Sequence, residues 1–500
     1  MSSSAVTLDT NSSSTSSIDQ LVSEYITSIS QPVQQLQSQE SSINSLISTY
    51  QTIKSNLSNF QSQANSLGSV GSLSPLAAKT VSSSNSSVVT ATAQTTATLG
   101  THSLLVTQLA KCDTLVSSEL SQTGTNISSK AGAGTSTFSV TINGTTTNIN
   151  VTVNAGDSNS TVMANIAAAL NAKGLGVTAS VVNDTDSTAR LVFTSNDSGS
   201  ANSISVADVS GNLMQDVGWT TGVISGRTAS TSTGAGFVNS SVSSLDASFT
   251  LDGIPITRSS NTITDVLTGV TINLAGTQQS TDNPVTLTIS PDTSAIQTTV
   301  QDFINSYNTL ITSLNQNMTD TTSNSSSSSS DTSSATVTRA PLAGDVTFMN
   351  LQFSLQNILM SPVSSVQSGN PNSLSAIGIK LNNDGTLSIS DQSAFTSALT
   401  TNQTAVSDLF NSSGGVAVQL DKLVNSFSHP GGIMDQEIGG AQDQINSMND
   451  MINSMQAGIN IQADAMRNQF TTQESMLIQL NQTQSSLTSI WSSMSSDGLL

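Results

Sequence analysis

Apolar residues near both ends of the chain recur at alternating intervals of three and four positions. The N-terminal series is Val22, Tyr25, Ile29, Pro32, Leu36, Gln39, Ile43, Leu46, Tyr50, Ile53, Leu57, Phe60, Ala64 and Leu67. The C-terminal series is Ala441, Ile445, Met448, Ile452, Met455, Ile459, Ala463, Met466, Phe470, Gln473, Leu477, Leu480, Gln484, Leu487, Trp491 and Met494. This spacing places side chains on one seam of a long helix. The two series therefore predict two long helices that lie side by side through their seams.

A helix of a single globular core would show a similar stripe. Helices of more than about 25 residues at both ends favour an extended bundle or coiled coil instead. Pro32 is expected to kink the first helix or to mark the point where a preceding segment joins it. The steps from Met455 to Ile459 to Ala463 form a stutter that contains Gly458, which predicts a flexible or straightened point.

Between the two helices the apolar period changes to two, which is typical of strands. Phe138, Val140 and Ile142 alternate up to Asn143-Gly144, and the alternation resumes from Ile149, so this segment predicts a hairpin. A short helix is predicted at Val162 to Asn171. Further strands are predicted at Val177 to Val182, Arg190 to Thr194, Phe249 to Ile256, Val270 to Leu274 and Val285 to Ile289.

The helical period returns after Pro291. It predicts a helix from Ile296 to Leu314 and another from Phe348 to Met360, followed by a hairpin around Asp384-Gly385. Residues 319–337 contain six consecutive serines and are predicted to be a flexible insertion, because they cannot bury enough apolar surface to offset ordering entropy.

This order of elements predicts an α+β multidomain fold. In it the N- and C-terminal helices form a coiled-coil or helical-bundle stalk with two inserted β-rich domains. The predicted segments are 1–45 as a disordered or coiled-coil leg, 46–78 with 294–437 as the helical stalk domain, 79–127 with 244–293 as an inner β-rich head, 128–243 as an outer β-rich head, and 438–500 as a C-terminal coiled-coil leg.

Charge and composition narrow the classes of partner. Only 9% of the residues are charged, and 12 basic against 32 acidic residues give a net charge of −20. Such a field repels phosphate backbones and anionic lipid, so nucleic-acid binding is not expected. Apolar runs are far shorter than the roughly 20 residues of a spanning helix, so membrane insertion is not expected either.

Candidate catalytic and metal-binding residues are few. His102 and His429 are distant in sequence and lack a neighbouring histidine or cysteine, and Cys112 is the single cysteine. Glycine pairs such as Gly132 and Gly134 lack the Lys-Ser/Thr that completes a phosphate loop. We therefore expect that the protein is not an enzyme and that it binds neither a cofactor nor a metal ion.

The first seventeen residues lack the basic and apolar regions of a cleaved secretory signal. The protein is thus expected either to stay inside the cell or to leave it by another route.

Several stretches resemble one family, the flagellar filament cap proteins of the flagellar hook-associated protein type 2 family. The most characteristic is LDGIPITRSSNTITDVLTGVTINL, Leu251 to Leu274, in which the family motif is carried by Asn261, Thr262, Asp265, Gly269 and Thr271. Pro341 to Asp345 and Ile377 to Phe410 resemble the stalk domain of the same family. The segment that begins TFSVTINGTTTNINVTV is similar to a β-domain repeat of flagellin and hook-associated proteins.

The resemblance implies a structural cap at the distal tip of the bacterial flagellar filament. Identical subunits would form a ring that retains exported flagellin, promotes its folding and insertion, and supports filament elongation and motility. The implied partners are further copies of the chain, flagellin, hook-filament junction proteins and an export chaperone. The implied location is extracellular, reached through the flagellar type III apparatus without a cleaved Sec signal, and residues 1 to about 20 and the final few would become ordered only in the assembly.

The alternative is a tip-located adhesin that binds host or surface glycans through the β-rich region at 128–243. An exposed aromatic cluster would favour it, and Trp219 is the one tryptophan of that region. Core packing is the favoured interpretation of Trp219.

Overall fold

The computed structural model describes residues 14–323 and 336–496. The helices are α1 Ser14–Ile29, α2 Gln31–Gly68, α3 Asn126–Ala131, α4 Asn159–Asn171, α5 Leu213–Asp216, α6 Thr221–Ser225, α7 Thr293–Met318, α8 Val346–Met360, α9 Gln392–Asn411, α10 Val416–Ser428 and α11 Ile433–Ser496. Short 3₁₀ turns join several of the elements.

The strands are mostly short. They are β1 Lys79–Ser83, β2 Val89–Ala93, β3 Gly100–Gln108, β4 Cys112–Val116, β5 Leu120–Ser121, β6 Gly134–Ile142, β7 Thr145–Val153, β8 Val177–Asn183, β9 Thr188–Ser198, β10 Ser205–Ser210, β11 Gly236–Phe237, β12 Ala247–Leu251, β13 Ile254–Arg258, β14 Thr262–Ile263, β15 Val270–Leu274, β16 Val285–Pro291, β17 Thr321–Ser323, β18 Thr336–Thr338, β19 Ile379–Leu381 and β20 Leu387–Ile389.

The chain divides into two compact units. Among the described residues, the helical unit comprises 14–69, 299–323, 336–398 and 405–496, and the β-rich unit comprises 70–298 and 399–404. Each unit has cores of its own.

Aromatic contacts mark the core of the helical unit. Phe60 of α2 lies 5.4 Å from Phe303 and 5.7 Å from Tyr307 of α7, measured between ring centroids. Tyr50 of α2 stacks on Phe348 of α8 at 5.7 Å. Burial raises the pKa of Tyr50 to about 12, so its hydroxyl stays protonated at all physiological pH values. The unit is thus a bundle in which α2 is the central helix, since it also packs against α10 and α11.

The predicted N-terminal helix is divided into two helices close to Pro32, as its proline leads one to expect. α1 ends at Ile29 and α2 begins at Gln31, with Pro32 in the first turn of α2. Proline is favoured in the first turn because the amide N–H that it lacks would have no intrahelical acceptor there. The predicted stutter near Gly458 does not interrupt α11, which is one continuous helix.

An inner core of the β-rich unit lies between two antiparallel sheets. One sheet has the strand order β1-β16-β3-β12-β13 and the other has the order β14-β15-β2. Their buried alternate residues, such as Leu104, Phe249 and Ile272, form a single apolar cluster. Because β16 pairs with both β1 and β3, this sheet joins strands that precede residues 115–237 to a strand that follows them.

The outer core is a second apolar cluster within residues 115–237. The sheets β10-β6-β7 and β11-β4-β9-β5 line it, with α4 packed on β7 and β8. The β6–β7 hairpin turns at Asn143 and Gly144, whose φ angles of 49° and 71° are the left-handed conformation that an Asn-Gly turn supplies.

Several element boundaries differ from the predictions. The segment Phe249 to Ile256 is two strands, because Asp252 and Gly253 form a second left-handed turn with φ angles of 50° and 81°. Residues 14–20, predicted to be disordered in the isolated chain, lie in α1. Residues 1–13, most of the serine-rich insertion at 319–337 and residues 497–500 lie outside the described part of the chain.

Candidate functional site

The N-terminal seam faces the interior of the helical unit along most of its length. Side chains near the end of α2 are fully buried, whereas those nearer its start are half-buried. The buried members are Val22, Tyr50, Ile53, Leu57, Phe60, Ala64 and Leu67, the half-buried members are Tyr25, Ile29, Leu36, Ile43 and Leu46, and Pro32 and Gln39 are exposed.

Polar contacts fix the register of α2 against the helices that follow it in the bundle. The Lys54 ammonium donates to the carboxylate of Asp435 in the first turn of α11. Gln61 donates to Asp421 of α10 at 2.9 Å and accepts from Ser428 at 2.7 Å. The Lys54 contact, together with the amide of Gly431, holds the pKa of Asp435 below its ordinary value.

The α1 helix extends the same seam along α11. The Tyr25 hydroxyl donates to the Gln462 side-chain oxygen at 3.2 Å, and Val22 and Ala463 are both buried. Residue numbers fall from Lys54 to Tyr25 as they rise from Asp435 to Gln462, so the N-terminal helices run antiparallel to α11. The structure thus brings the two predicted seams together.

The cover of the α11 seam decreases along the helix, and beyond Phe470 no residue of the described ranges buries it. Before that point Ile445 and Ile452 are buried, and Met448, Ile459, Met466 and Phe470 are half-buried. Met455, Leu477, Leu480, Leu487 and Trp491 are exposed, together with Met476 and Met494. We call residues 476–494 the bare stripe. Exposed apolar stripes of this length mark interaction surfaces.

The family-motif residues lie in the β-rich unit and brace its inner core. The Asn261 side-chain amide donates to the Ala110 carbonyl at 2.9 Å, and its oxygen accepts from the Ala110 N–H at 2.7 Å. This bidentate contact joins segments that are distant in sequence. The pattern of the motif alone gives no sign of Ala110 as the partner.

At position 269 any residue other than glycine would strain the backbone and collide with its neighbours. Its φ is 72°, and a Cβ there would lie 2.5 Å from the Thr96 hydroxyl oxygen and 2.8 Å from the Ala97 nitrogen. The Gly269 carbonyl accepts from the Gln94 N–H at 2.7 Å. Glycine is therefore required by both backbone conformation and close approach.

The remaining motif residues pair with neighbouring strands or side chains. Thr262 pairs with Asn273 across β14 and β15, and Thr271 pairs with Thr92 across β15 and β2. The Arg258 guanidinium donates to both carboxylate oxygens of Asp265, at 2.9 and 3.1 Å, which lowers the pKa of that carboxyl. The geometry of the motif is that of a structural brace.

A buried ion pair in the outer core has no signal in the sequence. Arg227 donates to both oxygens of Asp113, at 2.7 and 3.0 Å, and its guanidinium lies 3.9 Å from the ring centroid of Phe237. The Asp113 side chain is completely buried, so removal of either partner would leave an uncompensated charge.

The aromatic side chains of the outer core are all internal. Trp219 is only 2% exposed, stacks edge-on against Phe193 and donates its indole N–H to the Val116 carbonyl at 2.9 Å. Phe138 and Phe237 are buried as well. The outer core thus presents no aromatic platform of the kind that would favour a glycan adhesin.

Two family models match the ends of the chain and meet in the inner core. Residues 14–113 match the flagellar hook-associated protein 2 N-terminus, and residues 244–482 match the flagellar hook-associated protein 2 C-terminus. Together these ranges cover about two thirds of the chain. The chain belongs to the flagellar hook-associated protein 2 family. Residues 137–197, between the two ranges, match the flagellin hook IN motif.

Individual relatives agree with this family. The A-type flagellar hook-associated protein 2 of Pseudomonas aeruginosa is 28% identical over 339 residues, which cover 66% of this chain and 68% of that protein. The flagellar hook-associated protein 2 of Escherichia coli strain K12 is 28% identical over 330 residues, covering 65% of this chain and 66% of the relative. The chain therefore spans about two thirds of the length of these curated relatives.

A solved structure supports the fold. The crystal structure of the D1-D2-D3 domains of the flagellar cap protein FliD from Escherichia coli matches with a TM-score of 0.58 at 28% identity, covering 79% of this chain and 99% of that one. The α+β architecture with a helical unit and β-rich domains, predicted from the sequence, is thereby confirmed.

Within residues 14–323 and 336–496, no helix is both long enough and apolar enough to cross a membrane. In the same ranges no three histidine, cysteine or acidic side chains come together as a metal site would require.

Proposed function

We propose that this chain is the structural cap at the distal tip of a bacterial flagellar filament. The family assignment and the similarity to a cap protein support this function. The observation that carries it is the bare stripe of α11, a row of exposed apolar side chains on a helix that is otherwise integrated in the bundle. A protein that works alone in water gains nothing from such a row, whereas a subunit of an assembly needs it.

The proposed assembly is a closed ring of identical subunits. In it the bare stripe would contact neighbouring subunits or filament proteins, and the predicted seam residues would hold each leg together. The braced inner core suits the role of a rigid plate, because Asn261 and Gly269 tie its strands to distant segments. Flagellin would be retained beneath the plate, fold there and insert into the filament.

Further partners and the route of export belong to the same proposal. Hook-filament junction proteins and an export chaperone are proposed partners, and the proposed location is extracellular, at the filament tip. Export through the flagellar type III apparatus without a cleaved Sec signal would require an easily unfolded chain. The low aromatic content of 3% and the single cysteine are compatible with that requirement. The role proposed is structural, with no catalytic step.

Gene deletion followed by complementation tests the proposal. Loss of the protein should leave short or absent filaments and release monomeric flagellin into the medium, and the intact gene should restore both. Filaments of normal length combined with lost attachment to glycan-coated surfaces would instead support the adhesin and contradict the cap. End-on electron microscopy of the purified assembly would show whether a closed ring forms and how many subunits it has.

A further inference from the structure

Strand β7 forms one edge of a sheet in the outer core. It is the last strand in the order β10-β6-β7, and within the described ranges β6 is the one strand that pairs with it. Its buried side chains, Ile149, Val151 and Val153, belong to the outer apolar cluster. A strand at an edge presents backbone N–H and C=O groups to which a further strand can bind.

The hairpin turn determines which backbone groups of β7 are available. The Asn143-Gly144 turn has two residues, so Ile142 and Thr145 exchange both backbone hydrogen bonds across it. From this pair onward the backbone groups of the odd-numbered residues of β7 are directed to β6, and those of the even-numbered residues point away from it. We call the even-numbered residues the open edge. They are Thr146, Asn148, Asn150 and Thr152, and all four are exposed.

Two other edge strands of the β-rich unit carry features that oppose pairing with a further strand. Strand β10, at the opposite edge of the same sheet, has a bulge next to the charged Asp208. Strand β13, at the edge of the five-stranded sheet of the inner core, contains Pro255 and Arg258. Bulges, prolines and charges are the usual means of keeping an edge unpaired. Strand β7 has nine residues in regular register with β6 and contains neither a proline nor a charge.

The sequence of β7 is nearly the same in both directions from Ile149. An asparagine lies on either side of it at positions 148 and 150, and a threonine lies three positions away at 146 and 152. Thr147 and Val151, two positions away, are close in size and shape. An antiparallel pair of two β7 strands centred on Ile149 therefore places each residue of the open edge opposite an identical side chain. This self-complementarity favours a second copy of the chain as the partner strand.

The same register satisfies the hydrogen-bonding groups of the open edge. Asn148 of one copy lies opposite Asn150 of the other, and Thr146 lies opposite Thr152. Each of these pairs exchanges two backbone hydrogen bonds. The Asn150 side-chain oxygen already accepts from the Thr137 hydroxyl at 2.9 Å, which leaves its NH₂ group to donate to Asn148 of the other copy. Pairs of threonines directly opposite each other also stabilise antiparallel strands.

Charge distribution favours this part of the surface for contact between two acidic chains. The net charge of −20 makes two copies repel each other in general. Residues 131–156, which include all of β6 and β7, contain no charged side chain. Two open edges can therefore approach without placing an unpaired charge in the contact.

We propose that β7 of one copy pairs antiparallel with β7 of a second copy, centred on Ile149. The three-stranded sheets of the two outer cores then form one continuous sheet of six strands. Such a contact has two-fold symmetry and closes after two copies, so it cannot by itself generate a ring. The pairing thus goes beyond the proposed cap function and does not depend on it.

Oppositely charged variants of the full-length chain test the contact. One variant carries Asn148→Lys with Asn150→Lys, and the other carries Asn148→Asp with Asn150→Asp. Each should self-associate about tenfold more weakly than the unaltered chain, because like charges lie opposite each other at two places. An equimolar mixture should recover association, since lysines then face aspartates. Sedimentation velocity over a concentration series measures the dissociation constants.

The control for these variants is Thr178→Lys with Ser180→Lys, which adds the same charge to exposed positions of β8. It should leave the dissociation constant within about twofold of the unaltered value. Thermal unfolding of all the variants should match that of the unaltered chain, because the substituted residues are exposed. Unaltered self-association of both β7 variants, or no recovery in their mixture, would overturn the proposal.

Amide hydrogen exchange at single-residue resolution gives a second measurement. The amides of the four open-edge residues should exchange rapidly in the single chain and more slowly at concentrations where it is paired. The amides of Thr147 and Val151 are bonded to β6 and should be protected in both states. Mass spectrometry with electron-transfer fragmentation can follow this alternation. Equal exchange of the open-edge amides at low and high concentration would refute the pairing.

The remaining outcomes separate this contact from other associations. Protection of the open edge only after flagellin is added would assign the edge to a strand of flagellin and refute pairing between copies. Association of the unaltered chain without protection of the open edge would place the contact elsewhere and also refute it. An unaltered chain that stays single at every concentration would refute the pairing, whereas gene deletion would still decide the cap function.

Discussion

The first and last thirds of α11 have the same apolar spacing and opposite environments. Near its start, Ile445 and Ile452 are buried where α11 packs on α2, and Ala463, near the middle of α11, is buried where it packs on α1. Beyond Phe470, Leu480 and Trp491 have the same helical spacing and are 63% and 68% exposed. A seven-residue period therefore identifies the apolar face through which a helix packs against another surface. Whether that surface belongs to the same chain depends on how far the N-terminal helices extend along α11.

The largest expected effect is a charge in the covered part of the seam. Leu57→Asp places an unpaired carboxylate at a completely buried position and should lower the free energy of unfolding by about 3 to 5 kcal/mol. Ile452→Asp should act in the same direction on the α11 side. Chemical denaturation followed by circular dichroism measures the change.

The control is Ser58→Asp, which adds the same charge one residue further along, on the exposed face of α2. It should change stability by less than about 0.5 kcal/mol. Equal stability of the Leu57 and Ser58 variants would show that the seam is not buried.

A smaller loss of stability is expected on α1, at the end of the covered part of the seam. Val22→Ala removes two methyl groups from a buried position on α1 and should weaken the docking of α1 by about 1.5 to 2 kcal/mol. Hydrogen exchange should show faster exchange in α1 with little change in the rest of the helical unit. Ile461→Ala removes more apolar atoms from an exposed position of α11 and serves as the control. A similar loss of protection from both variants would argue against a specific contact at Val22.

Acidification should weaken the first turn of α11. Lys54 lowers the pKa of Asp435 below its ordinary value of 3.8, so the folded state favours the carboxylate. The resulting stability is complete above about pH 5 and is lost as the pH falls through the lowered pKa. The effect is modest because both side chains are partly exposed. Unfolding measured from about pH 2 to pH 6 should show a steeper loss for the unaltered chain than for Lys54→Met. Parallel curves for the two proteins would mean that the pair does not contribute.

The smallest effect on stability belongs to the bare stripe. Leu480→Asp should change the free energy of unfolding of the single chain by less than about 0.5 kcal/mol, since the side chain is already in water. The same variant should nevertheless fail to restore filament growth in a deletion strain. Gln482→Asp, on the opposite side of α11, should restore it. Full activity of the Leu480 variant would refute a role of the bare stripe in assembly.

The sequence predicts the positions of helices, strands and turns more accurately than it predicts which segments pack against one another. The seam spacing placed helices at both ends, and Pro32 marked the break between α1 and α2. The Asn143-Gly144 pair located the β6–β7 hairpin because its left-handed turn is a local property of two residues. Asp252-Gly253 carries the same local signal, which a prediction of one strand from Phe249 to Ile256 does not use. The exposed apolar side of α8 also has a signal in the sequence, since Val346, Met349, Phe353 and Met360 recur at helical spacing.

The sequence by itself determined the helical period at both ends of the chain, the period-two middle region, the acidic and charge-poor composition, and the motif that identifies the family. Each of these depends on residues close together along the chain, where backbone geometry alone sets the pattern. The tertiary structure alone decided that β16 joins β1 and β3, that Asn261 pairs with Ala110, and that Leu57 is covered while Leu480 is not. Those outcomes depend on which distant segments meet, and that is set by the packing of all apolar surfaces together rather than by any local spacing.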